Sequence, residues 1–75
     1  MPDPLPYGQL QTYIFLSQFI EEHHYSPSHR EIMEGCGLKS TGSVWHRIRQ
    51  LELKGYIEVD GARVRSIRLL VKMTE

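Results

Sequence analysis

Two serine caps with a glycine between them, and a second glycine after the following apolar stripe, constrain this chain more than any other feature. Ser28-His-Arg-Glu31 fits a capping box, in which Ser28 caps a helix and Glu31 reaches back to the backbone N–H of the cap. Gly37 can end that helix in a left-handed turn, and Ser40 offers a second N-cap a few residues later. Val44, Ile48 and Leu51 then recur at i, i+4 and i+7, until Gly55 supplies a second stop at a C′ position. Two short helices joined so closely describe a helix-turn-helix.

The flanking segments complete an architecture. Residues 1–6, with proline at every second position, cannot propagate a helix and are expected to form an extended arm. From about Tyr7 to His23 the apolar residues Leu10, Ile14, Phe15, Phe19 and Ile20 recur near the helical period, and Pro27 closes that helix by disfavouring helical geometry at Ser26. The second helix is expected from about His29 to Cys36, with Ile32 and Met33 inward, and the third from about Thr41 to Lys54. Tyr56-Ile-Glu-Val-Asp60 alternates as a strand, Asp60-Gly61 is a turn signal, and Val64 to Val71 can return. The expectation is therefore an α+β fold, a three-helix winged helix-turn-helix with a C-terminal two-stranded antiparallel hairpin. It occupies residues 7–71, followed by a tail at 72–75.

Composition removes several function classes. Seventy-five residues hold one small domain. The single cysteine, Cys36, excludes an intramolecular disulfide and fits a reduced, cytoplasmic compartment. No apolar run approaches the roughly 18 residues of a membrane span. No basic-then-apolar start marks a secretory signal. Net charge is zero, yet its distribution is bipolar. Residues 1–38 carry one basic residue against five acidic ones, and residues 39–75 carry eight against four, giving −4 and +4. Such a domain can turn its basic half toward phosphate while the acidic half stays solvated.

A helix-turn-helix with a basic second half points to double-stranded DNA, because the second helix of such a unit commonly enters the major groove. On a helical wheel, the side opposite Val44, Ile48 and Leu51 carries Gly42, His46 and Arg49, with Trp45 and Gln50 on its flanks. Arg49 can grip guanine O6 and N7 with two parallel hydrogen bonds, and Gln50 can read adenine similarly. Ser40, Thr41 and Ser43 lie in the first turn, where hydroxyls and free N–H groups suit a phosphate. The basic hairpin places Arg63 and Arg65 near its tip, within reach of the backbone, whereas Arg68 lies further down the strand. Ser28, Lys39, Thr41, Arg47, Lys54, Arg63 and Arg65 form the expected backbone-contacting set. A solvated polar face is the plain competing account of these helical residues, and Trp45 beside the stripe also fits a packing role.

The same stretches resemble the N-terminal DNA-binding domain of LexA-type SOS-response repressors. The matching residues are Tyr25-Ser-Pro-Ser-His-Arg-Glu-Ile32, Gly37-Leu-Lys-Ser40, Val44, Ile48, Leu51-Glu52, Lys54-Gly-Tyr-Ile57 and Ser66-Ile-Arg-Leu-Leu70. The resemblance implies the winged architecture and places base reading on Ser40, Gly42, Ser43, Trp45 and His46. Trp45 and His46 depart from the smaller or acidic residues typical of the family, so its operator does not transfer. Those repressors carry a second domain for self-cleavage and dimerisation, and family-type autoproteolysis is not expected of this chain. Its partner is then double-stranded DNA, with self-association or a protein partner in place of the dimerisation domain.

Other chemistries fit less well. His23, His24, His29 and Cys36 lack the tight ligand pairs of zinc sites, so neither metal nor cofactor is expected. No nucleophile has a base and an orienting group at a recognisable spacing, and there is no glycine-rich phosphate loop, so the chain is not expected to be an enzyme. The substantive alternative is a winged helix that binds protein, as an anti-repressor or assembly factor, which neutral charge and Trp45 favour.

Overall fold

The computed structural model describes residues 5–60 and 66–70. Three helices, α1 (Tyr7–His23), α2 (His29–Gly35) and α3 (Thr41–Leu53), precede two strands, β1 (Ile57–Val59) and β2 (Ile67–Leu69). The strands pair antiparallel in the register Ile57↔Leu69, Glu58↔Arg68 and Val59↔Ile67. This is a winged helix-turn-helix.

The local signals act as their chemistry requires. Ser28 Oγ accepts the amide of Glu31 at 3.2 Å, and Glu31 Oε1 accepts the amide of Ser28 at 2.8 Å, so the capping box is complete. Ser40 caps α3 by accepting the amide of Ser43 at 3.3 Å. Gly37 and Gly55 adopt φ of 70° and 85°. In each case the next residue donates to the carbonyl five back (Leu38 to Met33, 2.9 Å; Tyr56 to Leu51, 3.0 Å). That is the Schellman closure, which satisfies carbonyls a helix end would otherwise leave bare. His24 ends α1 in the left-handed region at φ 66°, donating to Ile20 O at 2.8 Å.

Tyr13, Leu16, Ile32, Cys36, Val44, Ile48, Leu51, Ile57 and Ile67 form one core drawn from all three helices and both strands. The expected stripe on α3 is the buried one. On α1 the expected stripe is only partly buried. Thr12, Tyr13 and Leu16 are buried, while Ile14 is 39% exposed and Leu10, Phe15, Phe19 and Ile20 are half-buried. The apolar residues of α1 are spread around its circumference, so contacts with α2 and α3 decide its inward face. The hairpin is tied to the rest through the α1–α2 loop. Ser26 and Pro27 are buried there, and Ser26 Oγ accepts the amide of Ile67 at 3.2 Å.

Candidate nucleic-acid interface

Burial of Val44, Ile48 and Leu51 fixes the rotation of α3, and that rotation decides which of its other residues meet solvent. Ser40, Thr41, Gly42, Trp45, His46 and Arg49 are exposed, and Ser43 is half-buried. All six expected base-reading residues therefore lie on or beside the first two-thirds of one outward helix surface. Arg49 and His46 make no hydrogen bond or ion pair among the described residues. Gly42 has open space about it, since an added Cβ would meet only Ser40 Oγ, at 3.9 Å. No contact among the described residues requires a glycine at this first-turn position. The hydroxyls of Ser40 and Ser43 lie 3.1 Å apart, so the first turn presents a paired polar rim.

Trp45 is 51% exposed and stands edge to face with His29 of α2, ring centroids 4.3 Å apart at 76°. His29 is half-buried in this contact, and burial pushes its pKa below the ordinary histidine value. The two helices of the motif thus share an aromatic contact at the surface that carries the outward residues of α3.

The residues expected on the DNA backbone divide sharply. Lys39 and Thr41 are exposed beside the α3 cap, and Ser28 has its hydroxyl oxygen committed to the capping box. Arg47 and Lys54 instead turn toward α1. Arg47 Nη1 donates to Gly8 O at 3.0 Å and to Gln11 Oε1 and Thr12 Oγ1 at 3.1 Å. Lys54 Nζ donates to Gln9 Oε1 at 2.9 Å. Half-burial along α1 gives both cations acceptors inside the protein. A signal for Arg47 was present: it lies i+3 from Val44 and i−4 from Leu51, on the flank of the apolar stripe. Nothing local marked its acceptors, which are distant in sequence. Arg63 and Arg65 lie outside the described residues. Arg68, further down the hairpin, pairs with Glu58 directly across from it.

Cys36 is buried with Sγ 3.8 Å from Thr12 Oγ1, while His23 and His24 are exposed at the end of α1. Among the described residues, no three His, Cys, Asp or Glu side chains come together to hold a metal ion. No described helix is long and apolar enough to cross a membrane.

Comparison with known proteins gives a consistent result. Residues 3–66 match the LexA DNA binding domain family. The LexA repressor of Koribacter versatilis is 47% identical over 62 residues, covering 83% of this chain and 30% of that protein. The LexA repressor of Clostridium novyi is 44% identical over 62 residues, again covering 83% and 30%. That of Roseiflexus sp. is 40% identical over 67 residues, covering 89% and 31%. The chain thus spans about 30% of the length of the curated relatives it matches.

Proposed function

The chain belongs to the LexA DNA-binding domain family, and from that premise we propose that it is the DNA-reading part of a transcriptional repressor, binding double-stranded DNA with α3 in the major groove and the hairpin along the backbone. The observation that carries this reading is the division of labour on α3. Its buried residues belong to the core and Arg47 reaches α1, whereas Gly42, His46 and Arg49 are exposed, and half-exposed Trp45 meets His29 of the neighbouring helix.

In this reading Arg49 supplies the bidentate contact to guanine, and Trp45 covers a thymine methyl or a sugar. His46 offers its ring nitrogens to a base edge or a phosphate, and Gly42 lets the helix backbone approach closely. Ser40, Thr41 and Ser43 offer hydroxyls to a phosphate at the start of α3. Lys39, Ser28 and the hairpin residues Arg63 and Arg65 complete the backbone contacts, which fix register without carrying sequence information. One copy of such a domain covers one half-site, and paired half-sites require a second copy, brought by self-association or by a partner.

Selection of sites from a random double-stranded DNA pool, at low and near-physiological salt, tests the proposal. An enriched motif that survives the higher salt supports it, and dyad symmetry in that motif identifies paired binding. Loss of all enrichment at modest salt leaves only counterion-driven attraction. That outcome favours the alternative, in which the outward face of α3 with Trp45 docks a protein.

A further inference from the structure

Arg47 lies in the middle of α3 yet makes its three hydrogen bonds, all at 3.0–3.1 Å, to the first turns of α1. The acceptors are of three kinds: a main-chain carbonyl at Gly8, an amide oxygen at Gln11 and a hydroxyl at Thr12. Thr12 is fully buried and itself donates to Gly8 O at 3.1 Å, so the acceptors form a connected group. Gly8 also makes room for the cation, because a Cβ there would fall 3.1 Å from Nη2 and 3.2 Å from Cζ of Arg47. All three bonds leave Nη1, whose two N–H groups are shared among acceptors clustered on one face of α1, so the arrangement ties the middle of α3 to one spot on α1 and resists both rotation of α3 and its separation from α1. The apolar stripe sets which side of α3 faces inward, and these bonds add a directional restraint to that rotation.

Resting on the DNA-reading proposal above, we infer that Arg47 is a positioning residue: it holds α3 against α1 at the exact rotation, within the range the apolar stripe allows, at which the outward side chains meet the base edges. It touches no DNA itself. An arginine on a basic helix is ordinarily read as a phosphate contact, and the two roles make opposite predictions. A phosphate contact supports every sequence alike and contributes to the salt slope. A positioning residue supports only the matched site.

The experiment compares the full chain with Arg47→Met, Arg47→Lys, Gln11→Leu and the double variant Arg47→Met/Gln11→Leu. Affinity is measured for the enriched duplex and for random duplex across a salt series, and residual dipolar couplings report the orientation of α3 relative to α1. The expected result is a roughly tenfold or greater loss on the enriched site in Arg47→Met, about the worth of one well-made base contact. Random-duplex affinity and salt slope stay unchanged, and α3 reorients measurably. Arg47→Lys retains part of the selectivity. Gln11→Leu, which removes an acceptor on α1, repeats the loss in smaller measure and adds nothing to Arg47→Met. Equal losses on both duplexes, with the salt slope reduced by about one phosphate, overturn the inference. So does an unchanged α1–α3 orientation in Arg47→Met. If the unaltered chain enriches no site, the DNA-reading proposal fails, and the dipolar couplings still decide whether Arg47 sets the rotation of α3.

Discussion

The two long helices of this molecule use their surfaces in opposite ways. α3 separates its residues cleanly: aliphatic side chains inward, Arg47 and Lys54 along the seam with α1, and Gly42, Trp45, His46 and Arg49 outward. α1 does not. It buries Thr12 and Tyr13, leaves Ile14 39% exposed, and carries Tyr7 80% exposed at its start. The difference teaches that α3 is oriented by apolar patterning and α1 largely by polar contacts. Thr12 Oγ1 and Gln11 Oε1 both receive Arg47 of α3, and Gln9 receives Lys54. One helix is placed by what water rejects, and the other by what its neighbour's cations require.

Substitutions can break that contrast. The largest effect is expected at Ile48, 2% exposed in the α3 stripe, where Ile48→Ala costs about 2–5 kcal/mol of stability through lost contacts and a cavity. Urea unfolding measures it, and a loss below about 1 kcal/mol would mean the stripe does not anchor the helix. Next, Arg49→Ala on the outward side leaves urea stability within about 0.5 kcal/mol. It removes about 1–3 kcal/mol of preference for the enriched site over random duplex, read in competition binding.

Tyr13 sharpens the comparison from the α1 side. Its ring is fully buried, edge-on to Tyr56 at 5.4 Å, yet its hydroxyl has no hydrogen-bond partner among the described residues. Burial, and then Tyr56, raise its pKa, so the hydroxyl keeps its proton. Tyr13→Phe removes an unsatisfied polar group and is expected to hold stability level or raise it by about 1 kcal/mol. A marked loss in thermal melting would mean that the hydroxyl is satisfied in solution. Ile14→Gln, on the exposed side of α1, is expected to change stability by no more than about 0.5 kcal/mol despite deleting an aliphatic residue.

The smallest effect is a pH dependence at the join of α2 and α3. Burial against Trp45 disfavours the charged form of His29, so the folded chain binds that proton less readily than the unfolded chain does. Stability is then full above the ordinary histidine value of about 6.5 and declines as pH falls through the lowered one. Melting curves across that range, with His29→Phe as the flattened control, measure the difference. An identical slope in the control would remove His29 as its source.

What was legible in the sequence followed the range of the forces. The caps at Ser28 and Ser40 and the stops at Gly37 and Gly55 act within one helical turn, so residue type and spacing were enough to place α2 and α3. The outward residues of α3 were legible too, because Val44, Ile48 and Leu51 fix a rotation that a wheel reproduces. α1 was not. Its inward face includes Thr12 and Tyr13, whose burial depends on partners from α3 and the hairpin segment. The α1 contacts of Arg47 and Lys54 were not legible for a related reason. A long cation beside an apolar stripe can lay its stem along the protein and keep its charge on internal acceptors. Those acceptors, Gln9 to Thr12, were too distant in sequence to notice. Of the hairpin arginines, Arg68 meets Glu58, a cross-strand partner that the register reveals and the sequence alone did not.

The uncommitted outer surface of α3 also bears on how such a domain changes over generations. Residues that do no folding work can be exchanged without passing through unstable intermediates. Gly42, His46 and Arg49 can therefore vary one at a time while the scaffold stays intact, and under the DNA-reading proposal each change is expected to redirect the protein toward a different set of target sites. A regulator built this way can be rewired by single substitutions, and a designer can screen that surface for new targets while holding Arg47 and its α1 acceptors constant.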